Sequence, residues 1–342
     1  MNDRIQPAPL PVLDTALVAR TGPRLRPEDL AACHRMLAAG SKSFATAARL
    51  LPARMRDPAA VFYAFCRMAD DLVDDGDDPR AAVAELELRL DAIFEGQPVD
   101  DPVDRALAAV VAEHALPRAP FDGLVEGFLW DAEAKTYETL ADVLDYSARV
   151  ASTMGVVMTY LLGERRPEVL ARACDLGAAM QLTNICRDVA EDAARGRRYL
   201  PAAWLRRGGL DPATWDDQPT DHPALRRAAK RLLDHADELY ARAEAGIPEL
   251  PADGRAAIYA ARLIYADIGR VIRGRGYDVM AGRAVVGRGR KLWLVLRAWL
   301  TTPRRRQPDA LGHAPLDETA FLCGAGPEWV TPALAGATGA PR

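Results

Sequence analysis

Residues 61–75 read VFYAFCRMADDLVDD, an apolar run that ends in four aspartates. Helix-forming residues without Gly or Pro predict a helix whose first half is buried. Because side chains four residues apart share a helix face, Asp70 lies in line with Asp74, and Asp71 and Asp75 follow the neighbouring stripe. Such a helix end is either a solvated terminus or half of a cation site, and this stretch alone favours neither.

A second polar line lies at residues 181–192, which read QLTNICRDVAED. Asn184, Asp188 and Asp192 are spaced four and four, so a helix would align their oxygen atoms at steps of about 6 Å. The residues between them are largely apolar, which distinguishes this helix from a generic solvated one. Two such lines on two helices suit Mg²⁺, which takes oxygen ligands and bridges carboxylates to a substrate diphosphate.

The composition of the chain excludes several classes of function. Its 342 residues are 49% hydrophobic, and 44 basic against 48 acidic residues give a net charge of −4, so no global basic field calls for nucleic acid. The five cysteines form no CxxC pair, which indicates reduced thiols in a cytoplasmic protein. The N-terminus has no apolar signal-peptide core, and no run of 18 apolar residues predicts a membrane span.

Helical patterns separated by short Pro or Gly breaks cover most of the chain, and no stretch shows strand alternation. The predicted helices span 27–40, 45–51, 57–74, 80–95, 101–115, 120–134, 138–162, 167–194, 222–245 and 252–279. A loop with a short helical turn is expected at 200–222. We therefore predict a single all-α domain at 27–302 around one apolar cavity, between a flexible arm at 1–26 and a poorly ordered tail at 303–342.

Residues 283–306 form a different kind of segment. Arg and Lys residues alternate there with Leu, Val and Trp, and Arg304, Arg305 and Arg306 close the stretch. A basic amphipathic helix with Trp is typical of a membrane surface. A helix that packs its apolar side on the domain and exposes its arginines fits the same pattern, so both interpretations stay open.

Together, three blocks resemble the squalene/phytoene synthase family. They are Ser41-Lys-Ser-Phe44, the stretch from Tyr63 to Asp74, and the stretch from Gln181 to Asp192, and the likeness runs over residues 28–300. Asp70-Asp-Leu-Val-Asp74 also matches the DDxxD pattern of chain-elongating prenyl synthases. Those enzymes would carry a second DDxxD where this chain has the Asn184 line.

The resemblance implies the class I isoprenoid synthase fold and a prenyltransferase. Two geranylgeranyl diphosphates would condense head to head through prephytoene diphosphate to phytoene, the first committed step of carotenoid biosynthesis. Mg²⁺, with Mn²⁺ as the alternative, would be the cofactor, and no NADPH would be needed. The implied metal ligands are Asp70, Asp74, Asn184, Asp188 and Asp192.

The resemblance also implies the residues that would hold the substrate. The diphosphate would meet Arg67, Arg187, Gln181 and the Ser41-Lys42-Ser43 block, since guanidinium, ammonium and hydroxyl groups bind phosphate oxygens. Gly40 stands where some relatives place a His. Four tyrosines are candidates for stabilising a carbocation or relaying a proton: Tyr63, Tyr146, Tyr199 and Tyr265. Arg67 and these tyrosines form the predicted catalytic set; each ring has a purely packing role as its alternative, and released diphosphate is the alternative proton acceptor.

Two alanines bear on the length of the donor. Relatives that use C15 donors place bulky aromatics at positions that match Ala48 and Ala60, so small residues there favour C20 donors. The alternatives are a C30 squalene or dehydrosqualene synthase and a non-catalytic relative that acts as an assembly factor. Expected partners are other carotenoid-pathway enzymes and, through 283–306, the surface of the inner membrane.

Overall fold

The structure is a computed structural model that describes residues 23–40, 51–74 and 78–324, with Gly40 and Asp74 described by their backbone alone. Within these ranges the chain is all helix and loop, with no strand, which confirms the predicted all-α class. The helices, numbered in chain order, are α1 Pro27–Gly40, α2 Ala53–Asp74, α3 Pro79–Phe94, α4 Pro102–His114, α5 Ala119–Ala132, α6 Leu140–Ser147, α7 Thr153–Leu162, α8 Pro167–Ala194, α9 Ala202–Arg207, α10 Pro212–Asp217, α11 Pro223–Ala243, α12 Ala252–Gly274, α13 Arg288–Thr301 and α14 Pro308–Leu311.

The helix boundaries follow local capping chemistry. At the start of α3, the Asp78 carboxylate accepts hydrogen bonds from the backbone N–H groups of Arg80 and Ala81, and Pro79 occupies the first turn. The predicted helix 138–162 is α6 and α7 joined without a break by a π-helical turn at Ala148–Ser152. The predicted helix 45–51 falls almost entirely outside the described residues.

Helix α8 is the central element, and it packs on α7, α11, α12 and the π-helical turn. A Cβ atom on Gly177 of α8 would lie 2.6 Å from the carbonyl oxygen of Ala151, and one on Gly155 of α7 would lie 2.6 Å from that of Ala173. Only glycine permits these backbones to approach so closely. Helices α7, α8 and α12 then enclose an apolar cavity of about 300 Å³.

Helix α12 ends earlier than predicted. The prediction continued it to residue 279, whereas it ends at Gly274, and Gly276 and Tyr277 adopt positive φ angles of 64° and 60°. The left-handed backbone at these two residues reverses the chain direction. The apolar pattern from 277 to 280 belongs to this turn and not to the helix.

The ordered part of the chain also extends further than predicted. Helix α14 and a 3₁₀ turn at Asp317–Leu322 pack on the domain, although the prediction placed 303–342 in a poorly ordered tail. The buried Arg172 guanidinium fastens the first part of this segment, because it donates hydrogen bonds to the carbonyl oxygens of Ala310 and His313, both at 3.0 Å. Residues 1–22 and 325–342 lie outside the described ranges.

Candidate active site

Helix α8 carries the second polar line as predicted, with its intervening apolar residues buried. Asn184 lines the cavity, and its amide nitrogen lies 3.4 Å from Oε1 of Gln181. Its buried Oδ1 atom accepts no hydrogen bond from any described residue. A buried oxygen without a donor is costly, so this atom suits a cation that the protein would bind.

The Asp188 carboxylate meets two guanidinium groups. Arg187 donates in bidentate fashion, with Nε–Oδ1 at 2.8 Å and Nη2–Oδ2 at 2.5 Å. Arg283 lies with Nε 3.4 Å from Asp188 Oδ1, and its Nη1 is 3.0 Å from Glu191 Oε2. The segment before α13 therefore reaches the second polar line, whereas the sequence pattern had grouped Arg283 with a surface helix.

Asp192, the last residue of the line, is half-buried. The pKa of its carboxyl is raised from 3.8 to about 7, mainly by desolvation and then by the nearby charges of Asp188 and Asp131, against the opposing Arg195 and Arg197. A divalent cation would offset this excess of negative charge. The electrostatics of the line thus fit a metal ligand.

The first acidic line ends α2. Arg67 pairs with Asp71, with Nε–Oδ2 at 3.0 Å, and more loosely with Asp70, with Nη1–Oδ2 at 3.4 Å. Asp74 is the last residue of the helix. Tyr63 lies one turn before Arg67, and burial raises the pKa of its phenol, which Arg67 partly offsets.

Among the described side chains, no three His, Cys, Asp or Glu residues lie close enough to hold one ion between them. A structural metal cage is therefore absent from this part of the chain. The arrangement fits Mg²⁺ bound by one or two protein oxygens at a time, because that ion keeps several waters and takes further ligands from substrate phosphates.

The other three predicted tyrosines divide into two groups. Tyr265 lines the cavity together with Gln181 and Asn184. Tyr146 and Tyr199 instead donate to the two oxygens of the Asp131 carboxylate, at 2.8 and 2.7 Å, and their rings stack with centroids 4.8 Å apart. Burial raises the pKa of both phenols well above the usual value, so they stay protonated donors.

The cavity supplies the apolar part of the site. Its walls include Val150, Met154, Met158, Leu176, Met180, Ile247 and Ile258. Gln181, Asn184 and Tyr265 contribute polar groups to the same cavity. A ligand with a long hydrocarbon chain and a charged head matches this combination.

Comparison with known proteins identifies the family. The family model for squalene/phytoene synthase matches residues 37–290. This chain belongs to the squalene/phytoene synthase family. A phytoene synthase from Rhodobacter capsulatus is 50% identical over 270 residues, which cover 78% of this chain and 80% of that protein. One from Cereibacter sphaeroides is 47% identical over 310 residues and 87% of each chain.

Solved structures of the same family share the fold. A dehydrosqualene synthase in complex with a ligand superposes with a TM-score of 0.73 at 34% identity and covers 80% of this chain and 96% of its own. A squalene synthase from Alicyclobacillus acidocaldarius gives 0.69 at 28% identity, over 73% and 95% of the two chains. The all-α isoprenoid synthase fold that the resemblance implied is thereby confirmed.

Several predicted residues of this squalene/phytoene synthase family member are left without a structural test. Ser41, Lys42, Ser43 and Ala48 lie outside the described ranges. Ala60 is fully buried in α2 and is not among the described residues that line the cavity. The predicted roles of these residues in binding the diphosphate and setting donor length stay predictions.

Sequence reasoning missed Asp131 and the position of Arg283. Asp131 stands near the end of α5 and belongs to no motif, and only the tertiary fold brings Tyr146 and Tyr199 to it. Arg283 follows a turn whose geometry depends on the positive φ angles of Gly276 and Tyr277. Neither residue type nor spacing signals these contacts.

Proposed function

We propose that this chain is a phytoene synthase, which joins two geranylgeranyl diphosphates head to head through prephytoene diphosphate and releases two diphosphates. The observation that carries the proposal is the meeting of an apolar cavity with Gln181, Asn184 and Tyr265 beside a line of acids and arginines. The names of relatives that are 50% and 47% identical support the C20 donor and the product.

The ion-paired arginines would provide the diphosphate site. Arg67, Arg187 and Arg283 are each held by carboxylates of the two acidic lines. A diphosphate takes guanidinium groups in the same bidentate geometry as a carboxylate. The arginines can therefore exchange their aspartate partners for the substrate diphosphate when the aspartates bind a cation.

Asn184, Asp188 and Asp192 on α8, with Asp70 and Asp74 on α2, would hold Mg²⁺ or Mn²⁺. When bound, such an ion supplies positive charge to the departing diphosphate. The buried oxygen of Asn184 and the raised pKa of Asp192 support this ligand set.

The cavity would control the carbocations that follow each ionisation. Apolar walls exclude water, which would otherwise attack the carbocation and give an alcohol as the product. Tyr265 lines this cavity, where its ring would offer a π face to the positive charge and its phenol would donate a hydrogen bond or relay a proton. Tyr146 and Tyr199 would act through Asp131, the residue they hold beside the second line.

The test is product identification with the full chain, Mg²⁺ and either geranylgeranyl or farnesyl diphosphate, with and without NADPH. We expect phytoene from the C20 donor without reductant. The rival C30 synthase, favoured by the similarity to a dehydrosqualene synthase structure, predicts C30 product from the C15 donor. Product from neither donor would contradict both and favour a non-catalytic assembly factor.

A cytoplasmic location, peripheral contact with the inner membrane and association with other carotenoid-pathway enzymes belong to the same proposal. No helix in the described ranges is long and apolar enough to cross a bilayer. The prenyl diphosphate donor and the hydrocarbon product both carry long apolar chains, which supports work at a membrane surface.

A further inference from the structure

Helix α13 packs on α12 through a narrow stripe and leaves a wide apolar face uncovered. Leu294 and Ala298 are buried, and they are the residues that fix the helix to the domain. Five large side chains of the same helix are exposed, Leu292, Trp293, Leu296, Trp299 and Leu300. Leu292 and Trp299 keep 72% and 70% of their surface in solvent, a degree unusual for such residues when they are clustered.

The exposed residues form one continuous face. At about 100° per residue, the five side chains fall within a sector of about 120° that lies opposite Leu294 and Ala298. We call these five residues the α13 face. A contiguous exposed apolar surface of this kind indicates an interaction site, whereas single exposed apolar residues scattered over a protein do not.

Basic residues flank the α13 face on both sides. In the same helical projection, Arg288 and Lys291 lie on one flank and Arg297 on the other. Arg304 and Arg305 follow the helix end and are exposed. Within the described residues Arg288, Lys291, Arg304 and Arg305 form no ion pair, so their charges are available to a partner.

Not every cation of the segment is available. Arg283 is held by Asp188 and Glu191, and Arg290 by Asp267 at 2.9 Å. Arg306 lies 3.3 Å from Glu249. These ion pairs fasten the segment to the domain, so α13 presents its face from a fixed position.

The charge distribution of the whole chain is strongly asymmetric. Residues 279–308 contain eight Arg or Lys and no Asp or Glu, whereas the whole chain carries −4, so the remainder carries −4 − 8 = −12. Such asymmetry orients the molecule in an electric field and directs α13 toward a negatively charged surface.

We propose that the α13 face docks the protein on a bilayer that contains anionic phospholipid. Its apolar residues would enter the interface between headgroups and acyl chains, with Trp293 and Trp299 at headgroup level, and the flanking cations would contact lipid phosphates. The proposal rests on the peripheral membrane contact proposed above and names the surface that makes it, and it is independent of the reaction proposed for the cavity. It also differs from the sequence pattern, since Arg283 and Arg290 are excluded from the lipid contact.

A second copy of the chain fits this face less well. A two-fold symmetric contact would set the same patch against itself and bring Arg288, Lys291, Arg304 and Arg305 of one chain toward the same cations of its partner. Like charges at such short range oppose association, whereas an anionic bilayer compensates them. The terminal segments 1–22 and 325–342 are the other candidates to cover the face. The experiment includes one outcome for a second copy and one for a terminal segment.

The experiment measures partition of the full chain onto vesicles of phosphatidylcholine alone or mixed with phosphatidylglycerol, by co-sedimentation at low and high salt. Two double variants address the two components, Leu296→Ser with Trp299→Ser and Arg288→Gln with Lys291→Gln. Matched controls are Leu88→Ser, at another exposed apolar residue on α3, and Arg207→Gln, at another exposed arginine on α9. All altered side chains are largely or partly exposed, so melting curves should show that each variant folds.

We expect strong partition onto the mixed vesicles that weakens as salt rises. The charge variant should lose roughly thirty-fold on mixed vesicles, from about fivefold per cation, and little on neutral ones. The apolar variant should lose roughly tenfold or more on both vesicle types. The two control variants should partition like the unaltered chain.

Three results would overturn the proposal. One is no partition of the unaltered full chain, as expected if a terminal segment covers the face. Another is equal loss in the control variants. The third is a dimer in sedimentation equilibrium that the Leu296 and Trp299 changes dissociate, together with unchanged vesicle binding, because the face would then be an interface between copies.

Discussion

Arg187 and Asp188 are neighbours in sequence and form a bidentate ion pair on helix α8, with both guanidinium–carboxylate contacts between 2.5 and 2.8 Å. Arg283 approaches the same carboxylate from a segment almost one hundred residues further along the chain. In the proposed function this ion pair separates when the substrate binds, because Asp188 then binds the cation and the two arginines bind the diphosphate.

Replacing Asp188 with Asn should reduce turnover roughly a hundredfold or more, because a neutral amide neither attracts the cation nor balances the arginines. The fold should survive, since asparagine has nearly the same size and shape as aspartate and its amide oxygen can still accept a hydrogen bond from Arg187. Steady-state kinetics and thermal melting measure the two effects. Asp122→Asn is the matched control, as it alters an ion-paired aspartate on α5. Near-normal activity of Asp188→Asn would refute the metal assignment.

The raised pKa of Asp192 makes the stability of the metal-free protein depend on pH. Its pKa lies at about 7 in the folded chain and near 3.8 when solvated, so the folded state retains a proton that the unfolded state has lost. The contribution of this residue to the free energy of unfolding therefore falls as pH rises from about 4 to 7, and is constant above.

Denaturant unfolding of the metal-free chain should reveal this dependence when it is measured at about pH 5.5, inside that window, and at about pH 8, above it. Asp192→Asn should be stabilised relative to the unaltered chain more at the higher pH than at the lower. Saturating Mg²⁺ with inorganic diphosphate should reduce the difference, since the cation stabilises the ionised carboxylate. An equal effect of the substitution at both pH values would contradict the assigned pKa.

Two tyrosines should respond differently to loss of the hydroxyl. Tyr199→Phe removes a hydrogen bond to the half-buried Asp131 carboxylate and should lower the free energy of unfolding by about 2 kcal/mol. Tyr265→Phe alters a residue of the cavity wall and should change turnover or product distribution with little effect on stability. Melting curves and product analysis of both variants provide the comparison. Equal melting temperatures of the Tyr199→Phe and Tyr265→Phe variants would contradict the role of Tyr199 as a support for Asp131.

The close approach of α8 to the π-helical turn should not tolerate a methyl group. Gly177→Ala places Cβ 2.6 Å from the Ala151 carbonyl oxygen and 2.7 Å from the Ser152 Cα atom. Both are backbone atoms, so the helices must separate, at a cost of roughly 1–3 kcal/mol. Gly289→Ala is the control, because no described atom lies within 4 Å and alanine favours a helix by up to about 1 kcal/mol. Equal stability of the two variants would show that α8 and the turn are not tightly packed.

The sequence was sufficient to predict most of the long helices and the residues that α8 aligns. Spacing by four places Asn184, Asp188 and Asp192 on one stripe whatever the remainder of the fold, because that relation is local to a helix. The capping of α3 by Asp78 is equally local. For this reason the alignment of the three α8 residues could be predicted without knowledge of tertiary contacts.

The contacts between distant segments could not be predicted in this way. Asp131 accepts hydrogen bonds from Tyr146 and Tyr199, which lie in different elements of the fold. Arg172 donates hydrogen bonds to backbone carbonyl groups in residues 308–314 and so holds that segment in place. These partners are backbone atoms or residues outside any motif, so neither period nor composition marks them. The same limit explains the early end of α12, where the left-handed backbone of Tyr277 overrides an apolar pattern.

The most direct test of the proposed site is Mn²⁺ binding by the full chain, followed by electron paramagnetic resonance with and without an unreactive thio-analogue of geranylgeranyl diphosphate. The account predicts weak binding alone and strong binding with the analogue, lost in Asn184→Ala and Asp188→Asn and kept in Asp122→Asn. Analogue-dependent binding that neither site substitution weakens would contradict the central claim that α8 holds the cation.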